Sequence, residues 1–286
     1  MIRRLLCALV LAVAVLPAAA QRVFTGTGTP SSMDALVAAG LGAEVVFLGE
    51  QHDDSVAHVV QAEVLRRLHE GRMGQATRGP VVLSMEMFET DVQLALDEYL
   101  AGFVAERAFV AASRAWDNYA RDYRPMVEYA KAHSLPVVAA NAPRRYVNRV
   151  SRLGVASLDS LWADAKAHLA PLPFPRPTEA YRAKWNALMG SGGAHMSPEA
   201  NERMLMAQAL WDATMAHRIA RALDREAGTL VIHPVGRFHV EKGTGTPEAL
   251  QHYRPGTRAL VVVLTTESAW DAAVHAGLGD FVVLTR

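Results

Sequence analysis

Two histidines stand in the same short setting, Gly49-Glu50-Gln51-His52 and Gly236-Arg237-Phe238-His239, about 190 residues apart. Each motif ends an apolar, β-branched run, residues 44–48 in one case and 230–235 in the other. A run of that kind stopping at Gly reads as a buried strand ending in a tight turn. Glycine lets the backbone turn sharply there and brings the following ring close to a neighbouring strand end. Further ionisable groups follow other apolar runs: Asp53 beside His52, Glu86 and Glu89 after a second run, Asn141, Arg144 and Arg145 after a third. Imidazole and carboxylate together bind Zn, Mn or Fe, which makes His52, Glu86 and His239 candidate metal ligands. Glu50 would then activate bound water and Arg144 would steady an oxyanion, the chemistry of a metal-dependent hydrolase. The plainer alternative is that strand-end carboxylates, Asp53 and Glu89 above all, only cap the helices that follow. Caps, however, require no histidines.

The elements that must position these groups are legible as six apolar runs, at residues 44–48, 81–85, 136–140, 230–235, 260–264 and 281–284. The runs are near-continuous, the pattern of strands buried on both faces. Helical patterns fall between them at 57–69, 92–99, 125–133 and 158–169. The alternation predicts an α/β fold with a mostly parallel β-sheet flanked by helices. Ligands bind such sheets beyond the carboxyl ends of the strands, where both histidine motifs fall. Between the third and fourth runs lie about ninety residues without a strand signal. Residues 146–228 therefore read as a helical insertion over the carboxyl edge of the strands. Within it, Ser197-Pro198-Glu199 marks the start of a long helix, with Ser as N-cap and Pro at the first helical position, ending toward Gly228. His233 lies inside a strand and reads as a core residue. His195, after Gly190-Ser191-Gly192-Gly193, belongs to a loop, either a lid carrying a ligand or a plain exposed segment.

Composition narrows the function classes. The chain has 286 residues, 51% hydrophobic and 20% charged, with a formal net charge of zero. It has no basic excess to draw in nucleic acid or anionic lipid. Residues 1–20 have the three parts of a secretory signal: Arg3 and Arg4, an apolar run over 5–16, and Pro17-Ala18-Ala19-Ala20. Cleavage after Ala20 and a periplasmic or secreted mature protein are expected, with no transmembrane span and no lipobox for an anchor. The cut removes two of 29 basic residues, leaving 27 against 29 acidic, a net of −2. It also removes Cys7, the single cysteine, so the mature chain has neither disulfide nor thiolate ligand.

A second chemistry is also open. The long helix carries Met204, Trp211 and Met215 near one face, which is either plain core or a wall for a flat apolar cofactor such as haem. Tyr119 and Tyr123 lie in one stretch with Trp116 and Arg124, and a tyrosinate can ligate haem iron. On this reading Tyr119, Tyr123 and Met215 are the candidate haem contacts.

Taken in order, Val46 to Asp54, Ser84 to Glu89, Ala140 to Arg144, Gln208 to Ala216 and Gly236 to Val240 resemble the ChaN family. These are haem-binding uptake proteins of the Tiki/TraB/erythromycin-esterase-like superfamily, and the resemblance spans residues 33–258. It implies haem bound cofacially at a homodimer interface with tyrosine coordination, and a link to an outer-membrane haem transport system. The wider superfamily also implies metal-dependent peptidases built on His52, His239, Glu86 and Arg144, with Glu50 as a further acid or base. Bulky Arg237-Phe238 departs from the small or polar residues expected in the second motif.

Overall fold

The computed structural model describes residues 22–73, 78–191 and 196–286; the expected signal segment and His195 lie outside the described residues. Among the described residues no helix is long and apolar enough to cross a membrane.

Eight strands form one sheet: β1 (Arg22–Thr25), β2 (Pro30–Ser31), β3 (Val45–Glu50), β4 (Val81–Glu89), β5 (Val137–Asn141), β6 (Leu230–Gly236), β7 (Ala259–Thr265) and β8 (Phe281–Leu284). Their order is β2-β1-β8-β7-β3-β6-β4-β5. The six strands from β8 to β5 run parallel, and β1 is antiparallel to both β2 and β8. These six are the expected ones. They were legible because β3, β5 and β6 are buried at every residue, so each reads as an unbroken apolar run. The short edge pair β1 and β2 offered no such run.

Helices cover both faces. On one lie α1 (Met33–Gly42), α2 (Ser55–Arg72), α3 (Gln93–Leu100), α4 (Glu106–Ser113), α5 (Tyr119–Asp122) and α6 (Arg124–Ala132). They bury Leu36, Leu65, Leu96, Phe109 and Met126 against Val46, Leu48, Leu83 and Ile232 of the sheet. Beyond β5 come α7 (Arg144–Leu153), α8 (Ala163–Lys166), α9 (Glu179–Ser191) and α10 (Pro198–Arg225), followed after β6 by α11 (Thr246–Tyr253) and after β7 by α12 (Ala272–His275). Ser197 caps α10 as expected, its hydroxyl accepting from Ala200 N–H at 3.2 Å.

The helical stretch between β5 and β6 does two jobs. The second half of α10 lies flat on the other face of the sheet, packing Met215, Ala216, Ile219 and Ala220 against Val45, Phe47, Val82 and Val231. Its first half joins α7 and α9, where Leu205 meets Tyr181 and Trp185, and Leu210 meets Val147 and Val150. The helix ends at Arg225 rather than at the glycine signal, because Glu226 is already extended; Gly228, with φ +78°, makes the turn two residues on. The helix expected over 158–169 is instead a 3-10 turn, Val155–Ser160, and the single turn of α8. Leu158 is buried while Trp162 is 86% exposed, so the apolar residues there do not keep to one helical face.

Candidate functional site

The two histidine motifs end adjacent parallel strands. β3 pairs with β6 in a register that sets Gly49 beside Val235 and Glu50 beside Gly236. The order of the strands reverses around this pair: β4 and β5 lie to one side of β3, β7 and β8 to the other, and β6 returns to sit between β3 and β4. Such a point leaves a crevice at the strand carboxyl ends. Here it is a cleft of about 790 Å3 whose lining includes His52, Glu86, Asn141, Arg144, Gly236 and His239.

Both glycines are required by close approach. A Cβ on Gly49 would stand 2.6 Å from Val240 Cγ2, and one on Gly236 would stand 2.8 Å from His52 Cε1. The missing side chain at 236 is what lets the His52 ring lie across the end of β6.

Each histidine is held by a carboxylate. His52 Nδ1 is 2.9 Å from Glu50 Oε1, and His239 Nδ1 is 2.9 Å from Asp212 Oδ1. A carboxylate on Nδ1 selects the tautomer and leaves Nε2 as the working nitrogen. Glu50 is itself buried and anchored: Tyr123 donates its hydroxyl to Oε1 at 2.8 Å, and His58 Nδ1 lies 2.5 Å from Oε2. Asp212, on α10, accepts from Tyr181 at 2.5 Å and from Thr246 at 2.8 Å. Burial works against protonation of His52, His58 and His239, but the neighbouring carboxylates outweigh it and raise all three above the ordinary imidazole range. His52 combines this hold with access, its side chain being 47% exposed, whereas His239 is buried.

Glu86 lies between the two imidazoles. Its Oε2 accepts from Gly236 N–H at 2.6 Å, and its Oε1 is 3.8 Å from His239 Nε2. Asn141 Oδ1 is buried beside it without a hydrogen-bond partner. The walls are aromatic and cationic. Trp116 meets the His52 ring edge-on at 4.9 Å, Arg144 lies 6.0 Å from the Trp211 ring, and Trp185 packs against Phe238 at 6.1 Å.

The expected residues thus divide. His52, Glu86, His239, Asn141, Arg144 and Arg237 line one cleft. Among the described residues no group of three His, Cys, Asp or Glu is placed to hold a metal ion. Glu86 Oε2 accepts a backbone N–H, and the carboxylates on the two Nδ1 atoms leave each Nε2 as the nitrogen that would meet a metal. Glu50 touches the cleft but holds His52 rather than presenting a base. Asp53 is exposed and the cap of α2 is Asp54, which accepts from Val56 N–H at 3.1 Å; Glu89 pairs with Arg114 at 2.7 Å.

Tyr119, Tyr123 and Met215, the expected haem contacts, do not face the cleft. Tyr119 is sealed among Phe88 and Phe109, Tyr123 is spent on Glu50, and Met215 is in the core under α10. Burial raises the pKa of both tyrosines, of Tyr123 also through the Glu50 charge, which opposes a tyrosinate. His233 is the core residue expected: fully buried, its pKa pushed down to about 3 by that burial, with its Nδ1 2.9 Å from Ser84 O. Asp212 escaped sequence reading as a site residue. It lies 27 positions before His239 on a helix, where only its inclusion in a family-like segment marked it.

The fold matches known structures. One, described as cofacial heme binding to ChaN of Campylobacter jejuni, is 18% identical at TM-score 0.68, covering 92% of this chain and 96% of that one. The type III effector HopBA1 is 12% identical at TM-score 0.51, covering 93% and 96%. At these identities the likeness is one of fold. No curated protein sequence matches the chain. A family profile described as haem-binding uptake, Tiki superfamily, ChaN, matches residues 36–250. The chain belongs to this ChaN family of haem-binding uptake proteins.

Proposed function

We propose that the protein binds haem in the cleft beyond β3 and β6, with His52 Nε2 as the iron ligand. The observation that carries this reading is the His52 setting. It is an accessible imidazole whose Nδ1 is fixed by Glu50, laid over a glycine and flanked by Trp116. The cleft's volume of about 790 Å3 and its tryptophan walls suit a flat apolar ring. Arg144 and Arg237 are the cations suited to its carboxylates. When bound, the haem iron would supply a Lewis-acid centre for an imidazole nitrogen, which His52 would provide. The rest is the chain's own work: Glu50 orients His52, and Asp212 holds His239 at the opposite side. We further propose export by the segment 1–20, cut after Ala20, service in iron uptake, and pairing of two copies upon haem loading.

Hemin titration of the mature protein tests this. A saturable Soret shift at micromolar hemin is expected, lost or displaced in His52→Ala and retained in Tyr119→Phe and Tyr123→Phe. No shift in the wild type overturns haem binding; loss in Tyr123→Phe with retention in His52→Ala overturns the ligand assignment. N-terminal sequencing of protein recovered from the periplasm tests the cut, and light scattering with and without hemin tests pairing.

A second reading rests on the paired carboxylate–imidazole units. Glu50–His52 and Asp212–His239 on either side of Glu86, near Arg144, could serve as general base and acid in ester or amide hydrolysis without a metal. Turnover of an ester panel that survives chelator but not His239→Ala is its expected signature. Equal turnover by wild type and that variant removes it.

A further inference from the structure

At the other end of the sheet lies a pocket with no tie to the cleft. It has a volume of about 440 Å3 and opens across the edge strand β5, between α10 on one face and α3 and α6 on the other. Arg218, Arg221 and Arg225 line it from α10, and from α6 comes Lys131, whose ammonium sits 3.6 Å over the Tyr99 ring. The spacing of three and four residues puts the three guanidinium groups on one helical stripe. Asp97 is the sole carboxylate in the lining, and it already accepts from Gln93 at 2.8 Å. Gln93 also binds Val137 O and Ala139 N–H, so the backbone of the edge strand is covered and the pocket is not a docking place for another strand.

Arginines elsewhere on this surface find carboxylates: Arg66 with Glu63 at 2.7 Å, Arg114 with Glu89 at 2.7 Å, Arg254 with Glu44 at 2.9 Å. Among the described residues none pairs with Arg218, Arg221 or Arg225. A helix C-terminus favours cations, which accounts for Arg225 and in part Arg221. It does not account for Arg218, two turns inside the helix and half-buried. Burial, and then the like charges of Arg225 and Arg221, pull Arg218 below the ordinary arginine range against the smaller opposing pull of Asp97. Ser134, in a left-handed turn at φ +55°, adds a hydroxyl at the mouth. Crowded like charge in a concave site is relieved by a counter-anion, and guanidinium forks match phosphoryl oxygens.

We propose that this pocket binds a phosphoryl anion carrying at least two negative charges, through Arg218, Arg221, Arg225 and Lys131. The chemistry is that of a pyrophosphate group or of a phosphorylated headgroup. Four cations against Asp97 leave a local excess that a single carboxylate would not neutralise. The site is independent of haem, because it lies at the amino end of β5 whereas the cleft lies beyond the carboxyl ends.

Calorimetric titration with inorganic pyrophosphate at low ionic strength tests it on the mature protein, against the double variant Arg221→Gln/Arg225→Gln. Both positions are exposed, so the variant should fold, and an unchanged hemin Soret titration would confirm that it has. Saturable binding by the wild type, weakened about tenfold or more in the variant, is expected. A second signature is thermal. Without anion the variant should melt higher than the wild type, since like charges have been removed, and pyrophosphate should raise the wild type more. Vesicles containing phosphatidic acid form the other arm, and binding that pyrophosphate displaces would name the headgroup as a source. Absence of saturable pyrophosphate binding, equal binding by the variant, or vesicle binding indifferent to both pyrophosphate and the substitutions overturns the proposal.

Discussion

Glu50 divides its two oxygens among three partners, His52 and Tyr123 on one and His58 on the other. Replacing it by Gln removes the charge that supports both imidazoles. The His52 pKa, followed by NMR, should fall toward or below its ordinary value of about 6.5. Asp212 has a heavier load, with three donors in a buried setting. Asp212→Ala should cost about 3–5 kcal/mol in urea unfolding, because Tyr181, Thr246 and His239 lose their acceptor together. A cost under 1 kcal/mol would mean that His239 is not held as described. The same pairs set a pH dependence. His52, His58 and His239 have raised pKa values when folded, so their contribution is complete below about 6.5 and is lost as pH rises through the folded values. His233 has the opposite sign: its pKa of about 3 makes stability fall as pH drops below about 6.5. Stability should peak between these limbs, and the alkaline limb should flatten in Glu50→Gln. An unaltered alkaline limb in that variant would remove the linkage.

At the scale of elements, the site depends on two glycines, and the helix that carries Asp212 on one cap. Gly236→Ala places a methyl against the His52 ring and should cost about 1–3 kcal/mol while weakening hemin binding more than it weakens the fold. Equal hemin affinity in that variant would show that His52 does not need its present seat. Ser197→Ala removes the α10 cap and should cost about 1 kcal/mol, read as a lower melting temperature with hemin affinity intact. These features were legible because strand ends and caps are local: Gly49, Gly236 and Ser197 each sit in a few residues of diagnostic pattern. What was not legible depends on tertiary neighbours. Tyr123 looks like a haem contact in sequence, yet it is buried against His58 of α2 and Trp116, with its hydroxyl on Glu50. Asp53 looks like a cap, but the cap lies one residue later, at Asp54, and the helix begins at Ser55. The role of Asp212 becomes visible only once α10 is laid beside the end of β6.

On the scale of the molecule, the parallel sheet and the return of β6 to its middle concentrate every polar strand end in one crevice, while α10 seals one face of the sheet and helps to roof the cleft. The long helical stretch is therefore both crossover and lid, which its composition alone did not distinguish. The order of the strands also has a consequence in time. β3 and β4 are never neighbours; the strand that joins them, β6, begins roughly 140 residues after β4 ends. Without that strand the sheet falls into two pieces, β2-β1-β8-β7-β3 and β4-β5, each ending in an apolar strand with one open flank. Folding must hold that gap open, or find it late, so closure of the site and closure of the sheet are one event. Val231→Ala and Ile232→Val, at the centre of β6, should accordingly slow refolding as well as speed unfolding. Substitutions in β8, added at the flank, should act mainly on unfolding. Stopped-flow refolding in which the β6 variants leave the folding limb untouched would show that the gap fills only after the barrier has been crossed.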